Sequence, residues 1–145
     1  MNNYRKDQAK NLLLSQSLED YLKAILELKE EYREIRITDL AKKMKVAKSS
    51  VNQAIAKLSE FELIRHEKYG PLDLTATGEQ KARQVKERHQ ILTRYFIECL
   101  KIEDNIAEQE ACYIEHYLSP TTMEKLNIFL VSITGENQGC FSDNC

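Results

Sequence analysis

Thr38-Asp39-Leu40-Ala41-Lys42-Lys43-Met44-Lys45-Val46-Ala47-Lys48-Ser49-Ser50-Val51-Asn52-Gln53-Ala54-Ile55-Ala56-Lys57-Leu58 is the stretch that decides the fold. Residues 38–44 read as a short helix whose first N–H groups are capped by the Thr38 hydroxyl. Val46-Ala47 forms a turn. A second helix follows over 48–61, with Val51, Ile55 and Leu58 at the three- and four-residue spacing of a buried face. Short helix, short turn and longer helix make a helix-turn-helix outline. Two brief alternating runs come next, Leu63-Ile64-Arg65-His66-Glu67 and Leu72-Asp73-Leu74-Thr75. The bend at 68–71 contains Gly70, so the pair reads as a two-stranded hairpin, or wing.

Outward from this centre the chain is helical. Leu14, Leu18, Tyr21, Leu22, Ile25 and Leu28 describe an amphipathic helix over 7–31. Ser17 and Asp20 resemble a capping pair, but the apolar stripe continues on both sides and favours one continuous helix. Beyond the wing, Thr77 is expected to cap a long helix over 78–100. Two more are expected over 103–118 and 121–133, divided by Ser119-Pro120, because proline tolerates a helix start better than its interior. Residues 135–145 read as a loose tail. The expected fold class is therefore mainly α. Residues 1–76 form a winged helix-turn-helix domain with its N-terminal helix, and 77–134 form a helical domain.

Composition agrees. The 145 residues are 42% hydrophobic and 30% charged, enough for a core of one or two small domains. Four Gly and two Pro exclude a linker-rich or collagen-like chain. Leu12-Leu13-Leu14 and residues 128–133 are too short to span a bilayer, and the first residues lack a signal core, so a cytoplasmic location is expected. Net charge is only −2, yet it is unevenly spread. Residues 36–70 hold eight Lys/Arg against four Asp/Glu, while 101–120 hold one against five. The first segment suits phosphate and the second a cation, although solvated helix faces have similar patterns.

In a helix-turn-helix the N-terminal residues of the second helix lie nearest the base edges. Here these are Lys48, Ser49, Ser50 and Gln53; serine contacts phosphates or bases, and glutamine pairs bidentately with adenine. Lys42, Lys43 and Lys68 are the expected phosphate contacts, with Tyr69 at the wing tip.

Cys112-Tyr113-Ile114-Glu115-His116 sets a thiol, a carboxylate and an imidazole at i, i+3 and i+4, on one helical face. A soft sulfur, a hard oxygen and a nitrogen together suit a transition-metal ion. Taken singly, Cys112 reads as a small buried hydrophobe and each histidine as a surface or core residue. Cys99, Cys112, Cys140 and Cys145 contain no paired spacing that would indicate a zinc ribbon or disulfide framework. A hydrolase using Cys112 with His116 is excluded, since nothing supplies an oxyanion hole or cleft.

Taken together, three blocks resemble the diphtheria toxin repressor family of metal-dependent transcriptional regulators, which includes manganese transport regulators. They are Ser17-Leu18-Glu19-Asp20-Tyr21-Leu22-Lys23-Ala24-Ile25, the helix-turn-helix through His66-Glu67-Lys68-Tyr69-Gly70, and Glu110-Ala111-Cys112-Tyr113-Ile114-Glu115-His116 followed by Ser119. Arg88-His89 falls between them at the family spacing. The match covers about residues 15–133 and lacks the SH3-like domain of longer members. It implies a winged-helix DNA-binding domain, a helical dimerisation domain, and a homodimer that binds palindromic double-stranded DNA when Fe²⁺ or Mn²⁺ is bound. Asp20, Cys112, Glu115 and His116 become implied ligands. His89 matches an ancillary metal position, Glu19 a neighbouring acid, and Glu108 a possible ancillary ligand. Thr93 stands where the family usually has a carboxylate, and Lys23 where binuclear manganese regulators have a Glu. The thiolate favours Fe²⁺ over Mn²⁺, with Co²⁺, Ni²⁺ or Zn²⁺ able to substitute in vitro. No enzyme activity, membrane partner or small organic substrate is expected. Thiol redox sensing, through Cys112 or Cys140 and Cys145, and metal-independent DNA binding are the rival readings.

Overall fold

The structure, a computed structural model, describes residues 14–68 and 70–135. Tyr69, the tail cysteines and the first thirteen residues lie outside the described residues. The chain divides into two compact units, the first formed by Leu14–Arg83 and the second, among the described residues, by 84–135. The fold class is as expected: a winged helix-turn-helix followed by a helical unit.

The first unit opens with α1 (Gln16–Glu31). Ser15 is extended, and its hydroxyl accepts the Leu18 N–H at 3.3 Å. The apolar stripe had favoured a helix running unbroken through this point. The helix instead starts at Gln16, because a serine side chain satisfies an orphan N–H best from a non-helical backbone. Leu18, Leu22 and Ile25 bury one face of α1. They meet Leu40 of α2 (Ile37–Met44) and Val51, Ile55 and Leu58 of α3 (Lys48–Glu60) in one core. Burying each such side chain contributes about 1.5–3 kcal/mol. Thr38 was the expected cap of α2, but it lies inside the first turn. Asp39 performs the task, its carboxylate accepting the Arg36 N–H at 2.9 Å.

The wing pairs β1 (Ile64–His66) with β2 (Leu72–Leu74), antiparallel, with Ile64 opposite Leu74. Ile35 adds a further rung, its carbonyl accepting the Leu72 N–H at 2.8 Å. Charged neighbours on both sides hide this rung from the sequence pattern.

α4 (Ala76–Arg94) starts at a tight joint. The Thr75 hydroxyl donates to the Glu62 carbonyl at 2.7 Å and accepts the Gly78 N–H at 3.0 Å. The Thr75 N–H reaches the Leu63 carbonyl at 3.1 Å. Thr75, and not the expected Thr77, is therefore the cap. The contact also explains Gly78, since a Cβ there would lie 1.9 Å from the Leu63 oxygen. Around it, Lys29 approaches Asp73 at 3.4 Å and Glu79 at 3.8 Å, and Arg83 bonds Glu79 at 2.8 Å. The Arg83 hydrogen bond, then the Lys29 charge, holds the Glu79 carboxyl below its ordinary range. These pairs are solvated and each contributes little stability. Ala82 buries in the same core, and the first unit runs to Arg83, within α4.

In the second unit α4 widens into a π-type turn at Tyr95–Cys99, with the Leu100 N–H directed five residues back to the Tyr95 carbonyl. α5 (Asp104–Ile114) and α6 (Pro120–Thr134) complete the unit. Ile91, Leu92, Ala111, Met123 and Leu130 form its core. α5 was expected to reach residue 118 but stops at Ile114, where the bonding tightens and the Tyr117 N–H reaches only three residues back, to Ile114. Ser119 caps α6 by accepting the Thr122 N–H at 3.2 Å. Gly135, at φ 70, ends α6 in the left-handed conformation that glycine adopts freely.

The joint yields a direct test. Gly78→Ala is expected to cost about 3 kcal/mol or more, because backbone must move. Thr75→Ala should cost about 1–2 kcal/mol and Thr77→Ala less than about 0.5 kcal/mol. Urea unfolding of the three variants checks the order; equal losses at Thr75 and Thr77 would place the cap wrongly.

Candidate metal centre and nucleic-acid interface

In the second unit three segments bring donor atoms together. α4 carries His89, α5 carries Glu108 and Cys112, and the turn after α5 carries Glu115 and His116. The chain keeps a helical backbone at Glu115, whose N–H still bonds the Ala111 carbonyl at 3.0 Å. That continuation preserves the i, i+3 relation of Cys112 and Glu115. One atom each from His89, Cys112 and Glu115 lies within 4.8 Å of the other two.

Glu115 is the centre of the group and is fully buried, at 0% exposure. His89 Nδ1 lies 2.7 Å from one of its oxygens, and His116 Nε2 lies 3.4 Å from the other. The second ring nitrogen of His89 lies 2.7 Å from Glu108. A carboxylate only accepts, so both contacts are hydrogen bonds when His89 carries a proton on each nitrogen. A cation held by the same atoms meets the same charge requirement. The donors are nitrogen, sulfur and oxygen with ligand atoms a few ångströms apart, a set that fits Fe²⁺, Co²⁺, Zn²⁺ and, through its hard members, Mn²⁺.

The sequence pattern joined Cys112 to Glu115 and His116 and gave His89 an ancillary position. Here the thiol lies near His89 and Glu115, and Glu115 lies beside His116 as well. Thr93, one turn after His89, is buried, and its hydroxyl has no hydrogen-bond partner among the described residues. Asp20 and Glu19 belong to α1 in the first unit, where Asp20 is half-buried and Glu19 is buried at 3% exposure.

The first unit presents the other surface. α3 buries Val51, Ala54, Ile55 and Leu58 and exposes Lys48, Ser49, Ser50 and Gln53. Ala47 stands at its N-cap without a capping side chain, and no acid occupies the first turn. Lys42 and Lys68 are exposed. Lys43 is exposed as well, but its ammonium lies 3.1 Å from Glu27 of α1. The sequence reading passed over Lys45 and Arg65, which are also exposed. Their mixed local pattern gave no sign of orientation.

A winged helix with a basic recognition face, joined in one chain to a helical unit that gathers metal donors, defines a metal-responsive DNA-binding regulator. Comparison with known proteins agrees. Residues 13–72 match the model of the iron-dependent repressor N-terminal DNA-binding domain. Residues 75–139 match that of the iron-dependent repressor metal-binding and dimerisation domain. An uncharacterised HTH-type transcriptional regulator of Methanocaldococcus jannaschii is 36% identical over 118 residues, which is 81% of this chain and 94% of the relative. The HTH-type transcriptional regulator MntR of Shouchella clausii is 32% identical over 127 residues, 88% of this chain and 87% of its own. Among solved structures, the manganese regulator SloR superposes with a TM-score of 0.70 at 30% identity over 78% of this chain. The metal-dependent transcriptional regulator MtsR does so at 0.73 and 28% over the same share. The chain spans about half, 53%, of each of those two solved chains. The protein belongs to the iron-dependent repressor family, the diphtheria toxin repressor and manganese regulator group of metal-dependent transcriptional repressors, which are not enzymes.

Cobalt reads the cluster directly. Anaerobic Co²⁺ titration is expected to give a thiolate-to-cobalt charge-transfer band that Cys112→Ser abolishes. Glu115→Gln should weaken Co²⁺ binding by more than about tenfold, the smallest loss usual even for an outer-shell partner. A band unchanged in Cys112→Ser would remove the thiol from the site.

Proposed function

We propose that the protein is an Fe²⁺-dependent repressor of metal-uptake genes that binds a palindromic operator as a homodimer. The observation that carries the metal is the convergence of Cys112 with His89 on the buried Glu115 carboxylate. A thiolate donor moves preference from Mn²⁺ toward Fe²⁺ and the later metals. Mn²⁺ is the second reading, favoured by the name of the manganese regulator SloR.

Cys112, Glu115, His116 and His89 are the proposed ligands of the second unit, with Glu108 supporting His89. Asp20 is the proposed ligand from the first unit, on the strength of the family resemblance, with the acid Glu19 beside it in sequence. When bound, the ion supplies the positive charge that Glu115 requires and favours the state of the chain in which all these donors are available. DNA binding strengthens only as far as the ion prefers that state, and by linkage DNA strengthens ion binding by the same factor. On the DNA, Ser49, Ser50 and Gln53 read base edges. Lys48 lies beside them at the start of the recognition helix, while Lys42, Lys43 and Lys68 meet the backbone.

Dimerisation has its own support. The matched family domain is a dimerisation domain. The second unit exposes Tyr113, Tyr117, Ile128, Phe129 and Ile133, large side chains that a second copy would cover. A two-fold dimer presents two recognition helices to two half-sites, which gives the operator its palindrome. Among the described residues no helix is long and apolar enough to cross a membrane.

Anaerobic fluorescence anisotropy on the DNA upstream of the protein's own gene tests the whole reading, at fixed salt because phosphate contacts make affinity salt-dependent. Binding is expected with Fe²⁺, more weakly with Mn²⁺, and not with chelator. Equal binding with chelator would sink metal dependence, and tighter binding with Mn²⁺ would reverse the choice of metal. Ile128→Glu should sediment as a monomer with native helicity and bind the same DNA at least about tenfold more weakly, since one half-site contact is lost.

A further inference from the structure

We propose that Lys45, which ends α2 in a left-handed conformation, is a DNA phosphate contact at the entrance to the recognition helix. The inference rests on the proposed DNA-binding function and adds a residue to it. Lys45 has φ 55 and ψ 46. The conformation is built into the motif, because it lets the Val46 N–H return to the Ala41 carbonyl at 3.1 Å and turns the chain toward α3. A side chain other than glycine, asparagine or aspartate meets steric strain there. The position would be eased by glycine, yet it holds a lysine.

Three observations indicate what that lysine does. Its side chain is exposed, and it forms no ion pair among the described residues. Lys43, two residues earlier, lies 3.1 Å from Glu27, so part of its charge is offset by that acid, whereas Lys45 keeps its own. Lys45 lies two residues before Ala47, the N-cap of α3, which offers no capping side chain, and no acid is present in the first turn. Helix N-termini and their adjoining cations commonly contact phosphate oxygens in protein–DNA complexes, and such contacts fix register without reading sequence. Lys45 thus joins Lys42, Lys43 and Lys68 in the phosphate role, at the cost of local strain.

The test separates charge from strain. Lys45→Gln keeps the strain and removes the charge; Lys45→Arg keeps both; Lys45→Gly removes both. Metal-saturated full-length protein is titrated against two duplexes, the DNA upstream of its own gene and a random sequence of equal length, across a range of salt. Lys45→Gln and Lys45→Gly are expected to lower affinity about fivefold per subunit at physiological salt and to reduce the salt slope by about 0.9 per subunit. Both duplexes should lose by the same factor, and Lys45→Arg should restore slope and affinity. The thermal midpoint of Lys45→Gly should equal or exceed that of the parent, so its weaker binding cannot be unfolding. An unchanged slope and affinity in Lys45→Gln would overturn the proposal, and a loss confined to the upstream duplex would overturn it in favour of base reading. If the unaltered protein binds neither duplex, the DNA-binding function fails, which is distinguishable from failure at Lys45 alone.

Discussion

Glu115 holds a carboxylate where water does not reach it, and the second unit is organised around that fact. An ionised carboxylate taken from water without compensation is among the most costly groups a fold can bury. Here compensation comes from two imidazoles, His89 from α4 and His116 from the adjoining position in the turn. The arrangement explains why α4 and α5 must meet at fixed height. It also explains why the helical backbone persists through Glu115 after α5 ends, because a different turn would aim the carboxylate elsewhere. Removing one partner from such a group leaves a buried charge unmatched, so the cluster stands or falls as a unit.

The first unit depends on a different economy of space. The Leu63 carbonyl closes against Gly78 with no room for a side chain, and Thr75 bonds both sides of the contact. The end of α3, the first wing strand and the start of α4 are thereby fixed to one another. The recognition helix inherits its rigidity from this joint and from the Leu22, Ile25, Leu40 and Leu58 core, while its outward residues stay free of packing duties. Such separation lets a DNA-reading face vary without loss of fold.

Much of this was legible in the sequence. The helix-turn-helix, the wing and the helical second unit follow from apolar spacing, which reports burial directly. Helix starts were less legible. The chain has several Ser and Thr near each boundary, and only tertiary contacts choose among them: Thr75 caps because Glu62 and Gly78 lie within reach, and Thr77 does not. The rung at Ile35 was invisible because a single apolar residue among charges has no period. At the candidate metal centre, the i, i+3, i+4 spacing singled out Cys112, Glu115 and His116. Spacing along one helix could not show that His89, twenty-six residues from Glu115, would draw near the same carboxylate.

That convergence changes how the donors divide. If Cys112 shared its ion only with oxygen ligands and His116, one soft donor would compete with several hard ones. Grouped with His89, the thiol forms a nitrogen–sulfur pair that is softer than the remaining donors, with Glu115 common to both sides. Affinity order among divalent ions is otherwise fixed by the ion, so ligand type is one of the few means a protein has of altering it. Thr93 sharpens the contrast. A buried hydroxyl one turn beyond His89 adds no charge, so the acid that faces the outer nitrogen of His89 is Glu108. For a cation on the proposed ligands, the thiol is thus the donor whose softness departs most from the carboxylates.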